Sequence, residues 1–470
     1  MPLLRRARAA AVGAAVLVAA LLTGANVATA RPDDGPPAPE CAADVAALRY
    51  VVLFNPGTTQ PVAAEELTGA CGELVVYYPQ IAVAVATSTY ERFADRIGRD
   101  RAFSAQQVVR ARKSDETGSG AELVTANAAQ VPIADRSAEQ WDMSMINADA
   151  AHKISRGSRD VVVGVLDSGV DPNHPDLRGA LDPTVSAGCL TGKPDPTPAA
   201  WRPTASPHGT HVAGTIAAAD DGHGITGVAP GVRIASVKVV DDNGFILPEY
   251  AICGLMWASA NRMTVTNNSY FVDPWLMTCN RDSERVVQEA VRRAVDHSTR
   301  QGVLTVAAAT NEGVDLSRRP NNDCRVLPAG LRGVVAVSAV GPDKLKASYS
   351  SYGLGVVDVT APGGEVATAG QRDGNKCVLS TVPGGYERYC GTSMAAPHAT
   401  GVVALLASTH PNAPPQQLAR MLTTQAEPIQ CPADYDLHGT GAQDAYCSGY
   451  APYNGFHGHG LVDALAAVGK

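Results

Sequence analysis

Three polar residues, Asp167, His208 and Ser393, stand at points in the chain where a reactive side chain can be exposed. Asp167 follows the apolar run 161–166 and precedes a Ser-Gly turn, whereas Ser393 begins an apolar, helix-like segment. A serine at the start of a helix lies beside unpaired N–H groups that stabilise negative charge near its Oγ. Because serine alone is a weak nucleophile, this chemistry also needs a base and a group that orients the base. His208 and Asp167 are residue types that meet these needs.

Each of these residues taken alone has another explanation. An aspartate at the end of a strand is typical of a turn or a helix N-cap. His208 and His211 lie three residues apart on a predicted helix, a spacing that metal ligands also use. No third metal ligand is recognisable in the sequence, so we expect His211 to pack beside the helix.

Several short motifs follow one another in a fixed order over about 330 residues, and together they are more specific than any one motif. They are Asp167-Ser168-Gly169, 208–215 (His-Gly-Thr-His-Val-Ala-Gly-Thr), 227–230 (Gly-Val-Ala-Pro), Asn311-Glu312-Gly313, 391–395 (Gly-Thr-Ser-Met-Ala) and 458–464 (Gly-His-Gly-Leu-Val-Asp-Ala). On these motifs, the chain from about Trp141 to its end resembles the subtilisin-like (S8, subtilase) serine endopeptidases.

The resemblance implies a role for each reactive residue. Ser393 would be the nucleophile, and His208 would act first as general base and then as general acid. Asp167 would orient the imidazole and stabilise its cation. Asn311 occupies the position from which the family donates a side-chain hydrogen bond to the oxyanion, although an asparagine is also common in turns. No cofactor is required for this chemistry.

The substrate channel departs from the family pattern in two places. Thr310 stands where the family usually has glycine, next to Ala308 in the expected specificity pocket. After Ser269, Tyr270 and Phe271 replace the Leu and the first Gly of a stretch that usually reads Ser-Leu-Gly-Gly and pairs with the peptide as an edge strand. We therefore expect altered S1 and S4 substrate pockets; packing of the two aromatic residues in the protein core is the alternative.

The resemblance also implies a structural calcium ion. Asp176 and the loop 220–222 lie where one such site is usually built, so Asp221 is a candidate ligand and Gln140 a further oxygen donor. Carboxylate and amide oxygens suit this hard cation. Turn-forming aspartates explain the same residues without a metal.

Beyond Trp141 the sequence alternates β-branched runs with helical segments, which predicts an α/β fold with a doubly wound, mostly parallel sheet. Predicted strands cover 161–166, 232–240, 264–267, 303–308 and 334–339, and predicted helices cover 208–219, 248–260, 285–301, 394–408 and 415–425.

A small α+β unit precedes this region, with the β-α-β-β-α-β order of a ferredoxin-like fold. Its strands are predicted at 50–54, 73–78, 81–86 and 105–111 and its helices at 63–68 and 89–97, followed by a linker over 113–131. The unit resembles the subtilase propeptide, which assists folding and then inhibits the channel; an adhesion or substrate-binding module is the alternative. We expect a propeptide over 31–130, a catalytic domain over 131–470 and self-cleavage between Lys113 and Gln140.

Residues 1–30 read as a secretory signal, with early arginines, an apolar stretch and an Ala-Thr-Ala cleavage site. We expect export without a membrane anchor, most simply as a monomer. The net charge of −8 does not indicate a nucleic-acid partner.

Ten cysteines in an exported chain predict disulfides. Their positions allow one bridge before residue 130 (Cys41 and Cys71) and four after it. Local pairs are expected at Cys377 with Cys390 and Cys431 with Cys447, and Cys279 with Cys324 can close a longer loop; Cys253 is alternatively a free core thiol.

Three functional hypotheses follow from the sequence. A general secreted, self-processing serine endopeptidase accounts for all the motifs. A dedicated processing protease for one precursor peptide is favoured by the unusual channel. A non-catalytic peptide-binding protein on the same fold is the least consistent, because Asp167, His208, Ser393 and Asn311 are all present.

Overall fold

The computed structural model describes residues 41, 45–115, 134–318, 323–366, 376–437, 441, 443 and 445–469. The predicted signal segment, the linker beyond Asp115 and the boundary at 130/131 lie outside these residues. No helix in the described ranges is both long and apolar enough to span a membrane.

The N-terminal unit is an antiparallel sheet of four strands with helices. Its strands lie in the order β2-β3-β1-β4, which is the ferredoxin-like arrangement. Its elements are β1 (Leu48–Leu53), α1 (Gln60–Gly69), β2 (Glu73–Tyr78), β3 (Val83–Ser88), α2 (Phe93–Ile97), β4 (Ala102–Phe103) and α3 (Ala105–Asp115).

The last predicted strand of this unit is wrong. Residues 105–111 form the start of α3, and the strand lies earlier, at Ala102–Phe103. The segment is rich in Ala, Gln and Arg, which favour helix. The Ser104 hydroxyl also accepts a hydrogen bond from the Gln107 N–H at 3.3 Å, as a helix cap does.

A parallel sheet of seven strands forms the centre of the larger region, which confirms the predicted doubly wound α/β fold. Its central strands are buried along their whole length because helices cover both faces. The strands are β5 (Val162–Asp167), β6 (Ala187–Gly188), β7 (Arg233–Lys238), β8 (Val265–Asn268), β9 (Leu304–Ala308), β10 (Val334–Val340) and β11 (Val359–Pro362), in the order β11-β10-β9-β8-β5-β7-β6.

Two hairpins, nine α-helices and two short 3-10 helices (Ser137–Glu139 and Pro183–Val185) complete the described part of this region. The hairpins are β12 (Val378–Val382) with β13 (Gly385–Tyr389) and β14 (Gly449–Tyr450) with β15 (Tyr453–Asn454). The helices are α4 (Trp141–Met145), α5 (Ala148–His152), α6 (Pro198–Trp201), α7 (His208–Ala217), α8 (Pro248–Ala260), α9 (Asp282–Arg300), α10 (Thr392–Thr409), α11 (Pro415–Gln425) and α12 (Ala464–Val468).

Side-chain alternation along β5 divides the core into two layers. Val163 and Val165 point into the layer that contains α7, α10 and α12, whereas Val162 and Leu166 point into the layer of α8 and α9. The described residues from Cys41 onward form one compact unit. The N-terminal sheet adds Val51, Val83 and Phe103 to the second layer, so one face of that sheet packs against α8 and α9.

All ten cysteines are paired. The expected local bridges are present, and the alternative of a free thiol at Cys253 is wrong because that residue pairs with Cys189. Sequence separation gave no sign of this bridge, because the two cysteines are 64 positions apart and the fold brings them together. The other bridges are Cys41–Cys71, Cys279–Cys324, Cys377–Cys390 and Cys431–Cys447.

Candidate active site

The three reactive residues predicted from the sequence meet at one edge of the central sheet. Asp167 is the last residue of β5, His208 the first residue of α7 and Ser393 the second residue of α10. β5 pairs with β7 on one side and with β8 on the other. The chain therefore reverses its direction of travel across the sheet beside β5, which opens a crevice at the carboxyl ends of the strands.

Asp167 holds the ring of His208. The His208 Nδ1 lies 2.8 Å from the Asp167 Oδ1, and this oxygen also accepts the Ser168 N–H at 2.7 Å. Because a carboxylate only accepts hydrogen bonds, Nδ1 carries the proton and Nε2 keeps its lone pair. The start of α7 packs closely against the turn after β5. A Cβ at position 209 would lie 2.5 Å from the Gly169 carbonyl oxygen, which explains why the residue after His208 is glycine.

The environment raises the pKa of His208 above its ordinary value of 6.5. Burial lowers this pKa, but the negative charge of Asp167 and the hydrogen bond to it raise the pKa by more. The imidazole is therefore a stronger base than a free histidine. A stronger base is suited to accepting a proton from a serine hydroxyl.

The Ser393 hydroxyl lies in the same cleft but donates its hydrogen bond elsewhere. Its Oγ donates to the Ser269 carbonyl oxygen at 3.2 Å. No hydrogen bond joins Ser393 Oγ to the His208 ring in the described part of the chain. The contact between the Ser393 hydroxyl and the His208 ring therefore stays a prediction.

Asn311 lies next to Ser393 and is oriented by Thr392. Its Oδ1 accepts hydrogen bonds from the Thr392 N–H at 2.9 Å and from the Thr392 Oγ1 at 2.8 Å. The amide oxygen is therefore fixed, and the two N–H groups of Nδ2 are left for the cleft, which Asn311 lines. Thr392 was not among the predicted site residues, although it belongs to the Gly-Thr-Ser motif.

All nine residues predicted for catalysis, oxyanion binding and substrate binding line one cleft of about 370 Å³. The Tyr270 side chain is also buried in the core, where its hydroxyl donates to the Asn268 Oδ1 at 2.9 Å. Phe271 is half-buried, and Ala308 is the last residue of β9. The aromatic residues thus serve both the channel wall and the core, which the sequence analysis treated as alternatives.

Thr310 has an unusual backbone conformation. Its φ is 83°, in the left-handed region that β-branched residues rarely adopt. The Thr310 Oγ1 donates to the Ser351 Oγ at 2.9 Å, and the Ser351 N–H donates to the Thr310 carbonyl oxygen at 3.1 Å. The positive φ gives the physical reason for glycine as the usual residue at this position.

The oxygens predicted to bind calcium are engaged within the protein. Both carboxylate oxygens of Asp176 lie 3.0 Å from the Tyr386 hydroxyl, and Oδ2 also accepts the Ile225 N–H at 3.0 Å. Burial first and Asp176 second raise the pKa of Tyr386, so its hydroxyl keeps the proton that it donates.

The other two predicted ligands do not complete a calcium site either. The Gln140 Oε1 accepts the Thr226 N–H at 2.9 Å, and the Asp221 side chain is 57% exposed and accepts the His223 N–H at 3.1 Å. Among the described residues, no cluster of three or more Asp, Glu, His or Cys side chains is arranged to hold a metal ion. The residues present therefore do not fit calcium here.

Two further histidines lie near the site and pack inside the protein. His211 stacks on Tyr389 with ring centroids 4.4 Å apart, and burial, followed by the charge of His208, lowers its pKa to about 3. His398, five residues after Ser393, is fully buried, and its Nε2 lies 3.0 Å from the Asp142 Oδ2. The His398–Asp142 pair was not predicted, because the two residues lie 256 positions apart.

A doubly wound α/β sheet that carries an aspartate, a histidine and a serine at its carboxyl edge, in that order along the chain, is typical of the subtilisin-like class of proteins. The model of the subtilase family matches residues 158–450 of this chain. The chain therefore belongs to the subtilase family.

Curated relatives agree with this assignment. Fervidolysin from Fervidobacterium pennivorans is 34% identical over 327 residues, which cover 64% of this chain and 41% of fervidolysin. Subtilisin NAT from Bacillus subtilis subsp. natto is 35% identical over 276 residues, which cover 58% of this chain and 61% of that protein. The chain thus spans less than two thirds of the length of either relative.

Solved structures also resemble this one. The crystal structure of a lanthipeptide protease has a TM-score of 0.57 at 25% identity and covers 70% of this chain and 94% of its own. The epidermin leader peptide processing serine protease from Staphylococcus aureus has a TM-score of 0.64 at 20% identity. The match covers 90% of this chain and 98% of that protein's chain. At this identity, the second match shows a shared fold alone.

Proposed function

We propose that this chain is a serine endopeptidase that hydrolyses peptide bonds through an acyl-enzyme on Ser393. The His208 Nε2 accepts the hydroxyl proton while Oγ attacks the scissile carbonyl carbon. The same proton then passes to the leaving amine, the peptide bond breaks, and an ester to Ser393 remains. Water, deprotonated by His208, hydrolyses this ester and regenerates the hydroxyl.

The proposal is carried by the 2.8 Å hydrogen bond between His208 and Asp167 in the cleft that Ser393 lines. This bond selects the tautomer in which Nε2 is a base, and Asp167 stabilises the imidazolium that forms. The Ser393 hydroxyl must turn from the Ser269 carbonyl towards His208 for attack, which is a rotation about a single bond.

The oxyanion of the tetrahedral intermediate would be held by two donors. One is the Asn311 Nδ2, whose amide orientation is fixed by the two hydrogen bonds from Thr392. The other is the Ser393 N–H, which lies in the first turn of α10 and has no partner within the helix. Each such donor contributes about 3–4 kcal/mol of transition-state stabilisation.

A fluorophosphonate probe tests the nucleophile directly. We expect an adduct on Ser393 in the purified protein and none on the Ser393→Ala variant, whose kcat should fall by about 10⁶-fold. Mass spectrometry of the labelled peptide identifies the modified residue. Equal labelling of both proteins, or no labelling of the folded wild type under conditions that cleave peptides, would refute the proposal.

We also propose that residues 31–130 are a propeptide that the enzyme removes itself. Contacts of the N-terminal unit with loops of the larger region support this reading, in addition to its packing against α8 and α9. The Arg49 Nη1 donates to the Leu190 carbonyl oxygen at 2.9 Å, the Tyr78 hydroxyl donates to the Gly192 carbonyl oxygen at 2.8 Å, and Phe103 stacks on Trp275.

Arg293 on α9 adds a further link to the N-terminal unit. Its Nη1 donates to the Phe54 carbonyl oxygen at 3.0 Å and to the Ile81 carbonyl oxygen at 3.2 Å. These are specific polar contacts on an apolar interface, as expected for an inhibitor that must fit one enzyme. If Ser393→Ala protein still lost its N-terminal unit after purification, the self-processing proposal would be wrong.

A dedicated processing protease is the second candidate function. The observation that favours it is the lining of the cleft, where Tyr270, Phe271 and Thr310 stand at positions that usually hold smaller residues in the family. The names of the two similar solved structures, a lanthipeptide protease and a leader peptide processing protease, agree with this candidate. Digestion of a random peptide library separates the candidates, because a dedicated enzyme should cleave very few members.

Export through the signal segment 1–30 is part of the same proposal. The five disulfides support it, because such bonds persist in oxidising compartments. N-terminal sequencing of protein recovered from the culture medium tests this point.

A further inference from the structure

The carbonyl group of Ser393 lacks its ordinary partner in α10. In an α-helix, this oxygen would accept the N–H of the residue four positions later, but that residue is Pro397, which has no N–H. The Ser269 hydroxyl fills the position and donates to the Ser393 carbonyl oxygen at 2.8 Å. The carbonyl group of the nucleophile is therefore hydrogen-bonded by the side chain of the residue that follows β8.

The Ser269 hydroxyl is itself oriented by buried groups. The Asn267 Nδ2 donates to the Ser269 Oγ at 2.9 Å, and the Thr400 hydroxyl donates to the Asn267 Oδ1 at 2.9 Å. Thr400 and Asn267 are fully buried, and Ser269 is 5% exposed. Because Asn267 supplies the hydrogen bond that Ser269 accepts, the Ser269 proton is free to point at the Ser393 carbonyl.

These hydrogen bonds begin and end on α10, the helix that carries the nucleophile. Thr400 lies seven residues after Ser393 on α10, which is two turns further along the same face. The end of β8 is thus joined to α10 at two points, one of them the peptide unit of the nucleophile. In return, the Ser393 Oγ donates to the Ser269 carbonyl oxygen.

We propose that Thr400, Asn267 and Ser269 form a positioning relay that sets the location of Ser393. The relay rests on the proposed function, since it acts through the catalytic serine. It fixes the Ser393 Cα, and with it both the reach of Oγ towards His208 and the direction of the Ser393 N–H. Thr400 and Asn267 act through Ser269, so their effect falls on the chemical step.

A double-mutant cycle on the full chain tests the relay. Thr400→Val removes the hydroxyl donor at nearly constant volume, and Thr400→Ser keeps the donor. Each variant is compared with Ser269→Ala and with the double variant by kcat and KM on a peptide substrate, and by the rate of fluorophosphonate labelling. Ser338→Ala is the matched control, because its buried hydroxyl donates to the Phe456 carbonyl oxygen at 2.7 Å, outside the cleft.

We expect Thr400→Val to lower kcat and the labelling rate by about fivefold to tenfold, the effect of one net hydrogen bond, with KM changed less than about twofold. Thr400→Ser should restore kcat. Ser338→Ala should lower the melting temperature to a similar extent and leave kcat unchanged. The double variant should be no slower than Ser269→Ala, because both substitutions break one relay.

Wild-type kcat in Thr400→Val, or strictly additive losses in the double variant, would overturn the relay. Should Thr400→Val not fold, Thr400→Ala removes the same donor with less bulk and carries the same expectation. A wild-type protein that folds but is not labelled at all would contradict the proposed function instead, so the two failures are distinguishable.

Discussion

Replacing Thr310 by glycine should widen the cleft at almost no cost in stability. The threonine holds a φ of 83°, which costs a non-glycine residue about 1–2 kcal/mol. Glycine removes this strain but adds about 0.5–1 kcal/mol of backbone entropy on folding. It also loses the hydrogen bond to Ser351, which contributes about 0.5–1.5 kcal/mol. These terms nearly cancel, so the free energy of unfolding of the Thr310→Gly variant should lie within about 1 kcal/mol of the wild-type value.

The informative comparison is with Thr310→Ala. Alanine loses the same hydrogen bond but keeps the strained φ, so the glycine variant should be more stable by about 0.5–1 kcal/mol. This order is the reverse of the usual one, in which glycine is the less stable residue. Urea unfolding followed by tryptophan fluorescence measures the difference.

The second readout is substrate choice. Because Thr310 lines the cleft, both small variants should cleave more members of a peptide library than wild type does. Arg262→Gly is the control: Arg262 has a φ of 51° and an exposed side chain outside the cleft, so its relief of strain should leave cleavage unchanged. An alanine variant at 310 as stable as the glycine variant would refute the strain argument.

Three further predictions concern charge and hydrogen bonding. Because the pKa of His208 is raised, kcat/KM should fall on the acid side of its pH profile, as pH drops through a value above 6.5. The Asp167→Asn variant should show this fall at a lower pH, because the charge that raises the pKa of His208 is removed. Chelators should shift the melting temperature by less than about 2 °C, whereas Tyr386→Phe should cost about 1–3 kcal/mol by removing a donor from a buried carboxylate. Asp142→Ala should cost about 3–5 kcal/mol, because it leaves His398 buried without its partner.

Each of these has a clear contrary result. If the fall of kcat/KM at acid pH occurred at the same pH in the Asp167→Asn variant and in the wild type, a group other than His208 would be responsible for it. Strong destabilisation by a chelator, reversed by calcium, would show that the oxygens near Tyr386 do bind the ion. A fully stable Asp142→Ala protein, measured by denaturant unfolding, would mean that the buried pair contributes nothing net.

The sequence predicted the fold class, and the motifs that resemble the subtilases predicted the residues that line the cleft. Continuous β-branched runs predict buried parallel strands, whose carboxyl ends share one edge of the sheet. The resemblance to the subtilases, and not the strand pattern, implied that Asp167 and the segment after β8 belong to one site at this edge. Short motifs also predict local packing. The glycine in His-Gly-Thr, Gly209, allows α7 to approach the turn after β5 closely.

Tertiary structure decided what depends on contacts between distant segments. The Cys189–Cys253 bridge, the Asp142–His398 pair and the Tyr386 hydroxyl beside Asp176 join residues that are 64, 256 and 210 positions apart, and no local pattern signals them. The same is true of the missing N–H at Pro397: the sequence shows the proline, but only the folded chain shows that Ser269 replaces the lost hydrogen bond. Periodicity reports which side of an element is buried, whereas the partner of a buried polar group is set by packing.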